Sequence, residues 1–147
     1  MTTGIRRATP GDLAAVLELV AEYCAADGHG FDAGTATAGL EPLLADDRYG
    51  VVWLAHHGDR PEGYAVVTWG WSLEAGGLDV VLDEIYVRHR GRGTGSRLLQ
   101  VLELDCRQRD VKRIFLETER PNDHARRLYE RHGYEADTSI WMSKDLS

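Results

Sequence analysis

Two acids, Asp83 and Glu84, stand side by side inside an otherwise apolar run, Leu82-Asp83-Glu84-Ile85-Tyr86-Val87. Burial raises a carboxylate's proton affinity and suits it to accept a proton near neutral pH. Strand alternation separates the pair: Leu82, Glu84 and Tyr86 share one face, and Asp83, Ile85 and Val87 share the other. One of the two acids therefore faces a core or cleft, as a proton acceptor or as an ordinary hydrogen-bonded strand acid. Immediately downstream, Arg88-His89-Arg90-Gly91-Arg92-Gly93-Thr94-Gly95-Ser96-Arg97 is basic and glycine-rich and opens a helical pattern at about Thr94. Strand, glycine loop and helix in that order make an anion site, because the first helical N–H groups have no intrahelical acceptor. Gly91, Gly93 and Gly95 permit tight backbone turns and close approach of a ligand. The spacing does not complete G-x-G-x-x-G, and G-x-x-x-x-G-K-[ST] is absent. A phosphate or pyrophosphate ligand and a plain tight connection both fit this stretch.

A further constellation is Asn122, Ala125 and Tyr129. Asn122 stands where a helix begins and can cap it or meet a ligand amide. Tyr129 lies further along the same helix, and a tyrosine hydroxyl near a reacting centre can protonate a leaving thiolate. The bland alternative is an N-cap and a core tyrosine. His29, His56, His57, His89, His124 and His132 show no metal-ligand spacing, and no metal is expected. His56-His57 reads as turn surface. Cys24 and Cys106 are too few and too far apart for a disulfide framework and read as buried small apolar residues. Trp53, Trp69, Trp71 and Trp141 read as strand residues of a core or cleft wall.

These residues need a scaffold. The 147 residues are 43% hydrophobic with a formal charge of −7, which suits one domain, 1–147, with its own core. An acidic chain lacks the basic face that nucleic-acid binding requires. No apolar stretch approaches the roughly 18 residues of a membrane span. The N-terminal residues lack a signal-peptide pattern, so a soluble cytoplasmic protein is expected.

Thr9-Pro10-Gly11-Asp12 follows a short strand at Ile5–Ala8 and starts a helix that runs to about Ala26. A shorter helix is predicted over about Thr35 to Leu44. Strands at Tyr49–Ala55, Gly63–Trp71 and Leu78–Val87 form an antiparallel meander, with His56 to Pro61 as its first turn. The period then changes to a helix reaching about Arg109, followed by a strand at Lys112–Glu117 parallel to the one ending at Val87. A helix at Asp123–Arg131 ends before Gly133, and Glu135-Ala136 and Ser139–Met142 read as final short strands.

Together these features resemble the GCN5-related N-acetyltransferase (GNAT) superfamily over nearly the whole chain. Arg90-Gly91-Arg92-Gly93-Thr94-Gly95 is similar to its [R/Q]-x-x-G-x-[G/A] acyl-CoA pyrophosphate motif. The run from Asn122 to Tyr134 resembles its N-x-x-A-x-x-[L/F]-Y-x-x-x-G-[F/Y] signature, with Asn122, Ala125, Leu128, Tyr129, Gly133 and Tyr134 at the matching places. Ile5 to Asp12 looks like the family's first strand and the start of its first helix.

The resemblance implies an α/β (α+β) fold with a mixed, mostly antiparallel sheet flanked by helices, and acetyl-CoA as cofactor. It implies that backbone groups of Ile85, Tyr86 and Val87 pair with the pantetheine arm. Arg90 belongs to the motif, and N–H groups of Arg92, Gly93, Thr94, Gly95 and Ser96 bind the pyrophosphate. Asn122 contacts the lower arm of the cofactor, Ala125 is a cofactor-site position, and Tyr129 is the general acid near sulfur. Glu84 is the first choice of base. The similar run L-E-D-L-Y-V of polyamine-type acetyltransferases would place Asp83 there instead. The implied reaction is direct acetyl transfer to a primary amine of a small molecule, with a lysine side chain or protein N-terminus as the second choice. A non-catalytic acyl-CoA-binding module is the competing class. A homodimer is expected from the resemblance alone.

Overall fold

The computed structural model describes residues 3–118 and 121–147. They divide into two compact units, Met1–Glu117 and Thr118–Ser147, which are described separately.

The first unit is built on a five-stranded sheet in sequential order, β1 to β5. Strands β1 (Thr3–Arg7), β2 (Gly50–His57), β3 (Arg60–Ser72) and β4 (Gly77–Val87) run antiparallel to their neighbours, and β5 (Arg113–Leu116) pairs with β4 in parallel. The parallel pair needs a crossover, and helix α3 (Thr94–Gln108) supplies it. Helices α1 (Leu13–Ala26) and α2 (Ala33–Ala45) join β1 to β2. A 3₁₀ turn at Pro10–Asp12 precedes α1, where the Thr9 N–H donates to Asp12 Oδ2 at 2.8 Å. The same carboxylate receives two 2.8 Å bonds from Arg6, which tie β1 to the start of α1. Asp32 caps α2 by accepting from the Gly34 N–H.

Val16, Leu19 and Val20 of α1 and Leu40, Leu43 and Leu44 of α2 pack with Val52, Leu54, Tyr64 and Val66 from one face of the sheet. Leu98, Leu99 and Leu102 of α3 are buried, as are Val51, Ala65, Val67, Val80 and Leu82, which the register assigns to the opposite face. No helix among the described residues is long and apolar enough to cross a membrane.

Several expectations are corrected. The turn predicted at His56 to Pro61 is only Gly58-Asp59, because a two-residue loop with Gly58 at φ 60° closes the hairpin. His56 and His57 are therefore the last residues of β2. In the second unit, α4 (Asp123–Arg131) is followed by chain without regular structure from Tyr134 onward. The strands predicted at Glu135-Ala136 and Ser139–Met142 are not formed. A strand exists only through ladder partners, and no paired strand includes these residues. Trp141 thus lies outside any strand and is 69% exposed, while Trp71, in β3, is 73% exposed and not a core residue.

Candidate active site

The paired acids are set apart by an irregularity in β4. Val66 pairs with Glu84 but the adjacent Val67 pairs with Leu82, so Asp83 is an extra residue without an opposite number. A bulge of this kind interrupts alternation and re-aims the side chains beyond it. Leu82 therefore falls on the Ile85 face, not on the face of Glu84 and Tyr86 as simple alternation requires. Asp83 is exposed, while Glu84 is half-buried and shares the face of Tyr64 and Val66, beneath α1 and α2.

The Tyr64 hydroxyl donates to Glu84 Oε1 at 2.7 Å. Burial pushes the Glu84 carboxyl above its ordinary value; the Tyr64 bond opposes this and the nearby charge of Asp83 adds to it. Burial pushes the Tyr64 phenol up as well, so it stays a donor. Tyr86 lies between two aromatic neighbours, its ring centroid 6.1 Å from Tyr23 and 6.4 Å from Tyr64. Glu84 is thus a carboxylate with one fixed oxygen beside a wall of tyrosines.

Beyond the bulge β4 changes neighbours. Pairing with β5 covers Asp79 to Leu82, whereas pairing with β3 continues to Val87. The Arg88 N–H donates to the Glu62 carbonyl directly opposite, at 2.8 Å. Antiparallel ladders alternate, so the N–H and C=O groups of Tyr86 also face β3, and those of Ile85 and Val87 face away from it. These outward groups form an open strand edge at the side past which β5 does not extend.

The edge runs into the glycine loop. Gly91 and Gly93 adopt φ 82° and 76°, which glycine reaches without strain, and the space where a Cβ would stand is open at both. Gly93 is the N-cap of α3, and its carbonyl accepts from the Arg97 N–H, the first bond of the helix. The N–H groups before Arg97 therefore have no carbonyl within the helix. Thr94, the first helical residue, is 2% exposed, and its hydroxyl has no hydrogen-bond partner among the described residues. A buried hydroxyl without a partner at a helix N-terminus suits an anion that supplies acceptor oxygens. Gly95 and Ser96 continue the first turn, and Arg90 and Arg92 are exposed beside it.

Arg88 is not part of that basic cluster. Its guanidinium donates to Glu22 and Glu18 of α1 and to the Pro61 carbonyl, and the Tyr86 hydroxyl donates to Glu22 at 3.2 Å. Arg88 holds the Glu22 carboxyl below its usual range. The Arg88–Glu22 pair thus ties helix α1 to the end of β4. Glu22, Glu62 and Tyr64 escape a sequence reading because no motif contains them. Alternation in β3 does hold the clue to one of them, since Tyr64 falls on the inward face with Val66, whereas Glu62 is an extra residue opposite the register shift at Ala55 and His56.

In the second unit, Asn122 Oδ1 accepts from the Ala125 N–H at 3.1 Å and caps α4. The Ala125 N–H is occupied by that bond. Tyr129 is buried, and burial pushes its phenol up to about 12, so the hydroxyl is protonated at neutral pH. Its ring meets Tyr134 edge-on at 6.0 Å, and Gly133, at φ 89°, turns the chain between them.

Concavities of about 330 and 320 Å³ open beside Arg6, Asp12 and His56 and beside Pro10, Leu13 and Glu41. Neither is lined by a candidate site residue. The candidate residues stand instead along a strand edge and a loop.

Residues 15–134 match the family model described as Acetyltransferase (GNAT) family. The chain is 30% identical over 138 residues to an uncharacterized N-acetyltransferase of Bacillus subtilis (strain 168), YhfO, covering 92% of each chain. An integron cassette protein from a salt-marsh metagenome, HFX_CASS3, is 29% identical and superposes with a TM-score of 0.87 over 97% of this chain and 90% of that one. A predicted acetyltransferase of Clostridium acetobutylicum, solved with acetyl-CoA, shares the fold at a TM-score of 0.82 with 18% identity, over 99% of this chain and 97% of that one. The bulged strand, the open edge and the glycine loop at a helix N-terminus stand within the matched region, and the chain belongs to the GNAT acetyltransferase family.

Proposed function

We propose that this protein transfers the acetyl group of acetyl-CoA to a primary amine of a small molecule by direct attack. One observation carries the reading. A half-buried acid, re-aimed by a bulge, stands on the strand whose open edge leads into a helix N-terminus with an unpartnered buried hydroxyl. Acetyl-CoA, when bound, supplies an activated thioester and its own anionic pyrophosphate.

The outward backbone groups of Ile85 and Val87 hold the pantetheine arm in strand-like fashion. N–H groups from Arg92 to Ser96 and the Thr94 hydroxyl receive the pyrophosphate, with Arg90 adding charge. Glu84 takes the proton of the acceptor ammonium, directly or through one water, and its raised proton affinity matches that task. The Tyr64 bond fixes which oxygen remains to act. A β4 N–H stabilises the developing oxyanion. The Asn122 amide NH₂ meets the lower arm of the cofactor, and Tyr129 protonates the departing sulfur. No acyl group passes through the protein, and neither cysteine takes part. The roles of Asn122 and Tyr129 rest on the signature they complete and on the protonated state of Tyr129. We place the enzyme in the cytoplasm, and, on the resemblance alone, as a homodimer.

An amine panel scored by acetyl-CoA-dependent release of CoA tests the reading. It includes small amines, a lysine peptide and a peptide with a free N-terminus. Turnover with small amines is expected. Turnover confined to peptides replaces the acceptor, and CoA binding without turnover on any amine replaces the enzyme with a binding module.

A further inference from the structure

Glu62 is 5% exposed at the start of β3, and no part of the chemistry above uses its side chain. His89 Nδ1 stands 2.6 Å from Glu62 Oε1, and because a carboxylate only accepts, Nδ1 carries the proton. The same oxygen is 3.8 Å from Arg92 Nη1. The Glu62 carbonyl takes the Arg88 N–H. One residue of the sheet therefore meets the loop at positions 88, 89 and 92. Beyond the Arg88 anchor, Gly91 and Gly93 bring no side chains to the loop, and His89 and Arg92 are both more than half exposed.

Resting on the acetyl-CoA reading above, we propose that Glu62 is a positioning residue for the pyrophosphate loop, holding His89 and Arg92 so that the N–H groups from Arg92 to Ser96 converge on the anion. The opposite effect is conceivable on charge alone. A carboxylate near an anion site repels the anion and draws Arg92 away from it. Positioning and repulsion thus predict opposite signs for the same substitution.

The experiment measures acetyl-CoA affinity by calorimetry, together with KM and kcat for acetyl-CoA and for acetyl-pantetheine, which lacks the pyrophosphate. The variants are Glu62→Gln, His89→Ala and His89→Asn. His89 is largely exposed, so its substitution tests the clamp if Glu62→Gln folds poorly. Loss of one charge-assisted contact weakens acetyl-CoA binding roughly 5- to 20-fold in Glu62→Gln and His89→Ala. The expected result leaves kcat and the acetyl-pantetheine constants at wild-type values, and His89→Asn, whose amide can donate where Nδ1 does, recovers most of the affinity. Tighter acetyl-CoA binding in Glu62→Gln overturns positioning in favour of repulsion. Equal losses with both thioesters also overturn it, as a general disturbance of the fold. If the wild-type chain itself binds no acetyl-CoA, the function proposed above fails instead.

Discussion

Under α3, the sheet presents Val51, Ala65, Val67, Val80 and Leu82, and the helix answers with Leu98, Leu99 and Leu102; every one of these is buried and aliphatic. At the rim of that side the Arg109 guanidinium lies 4.8 Å over the Trp69 ring. Under α1 and α2, the same strands present Tyr64, Tyr86 and Glu84, and α1 brings Glu22 to the Tyr86 hydroxyl. One face stabilises by excluding water from apolar surface. The other retains a carboxylate in a place where its charged form is disfavoured. Such an acid is unfavourable for folding and useful for proton transfer. The contrast marks the face on which the proposed proton transfer would take place, before any motif is consulted.

The contrast can be broken from the dry side first. Leu98→Ala leaves a cavity under α3 and is expected to lower stability by about 2–5 kcal/mol in chemical denaturation, with the pH profile of turnover unchanged. A change in that profile would mean that the faces are not separable.

Glu84→Gln is expected to lower kcat on the order of 10²-fold near neutral pH. Its effect on stability has the reverse sign. Burial raises the folded-state pKa of Glu84, so its favourable contribution is present below the ordinary carboxylate range and is lost as pH rises through the raised value. The neutral amide escapes that loss, and the melting temperature of Glu84→Gln should exceed wild type at neutral and higher pH. An inactive variant that is also less stable would sink the picture of a disfavoured charge.

Tyr64→Phe sharpens the same face. It removes the bond that favours the Glu84 carboxylate, so the acid limb of the rate profile should move to higher pH, with a roughly fivefold loss of rate on that limb. Asp12→Asn is a control away from the site. Arg6 and the Thr9 N–H hold the Asp12 carboxyl well below its usual range, so its contribution is present above the ordinary carboxylate range and is lost as pH falls through the depressed value. Its loss should cost about 1 kcal/mol in thermal or denaturant unfolding, without changing turnover. The smallest effect expected is that of Asp83→Asn, within roughly twofold of wild-type rate, as for an exposed residue. A large loss there would transfer the base to Asp83.

Legibility differed from element to element for physical reasons. Helix α4 matches its expectation at both ends, Asp123 and Arg131, because Asn122 and Gly133 are strong local stop signals on either side. The meander was legible from alternation, but its first turn was drawn too wide, since residues on both sides of Gly58 pair as readily as they turn. The strands expected at Glu135-Ala136 and Ser139–Met142 show the converse: an apolar, β-branched run is only a propensity until a partner pairs with it. Trp71 reads as a core or cleft-wall residue by type and stands mostly exposed.

The order of residues by itself determined the glycine loop with the helix that follows it, and the Asn122 to Tyr134 signature with the helix inside it, because capping, positive φ and 3.6-residue periodicity act between near neighbours. Only the tertiary structure decided which acid is half-buried, since the bulge at Asp83 arises from pairing with β3 and alternation alone assigns the faces wrongly. It also decided that Arg88 belongs to Glu22 and that Glu62 stands under the loop, contacts across 66 and 27 residues that no local spacing encodes.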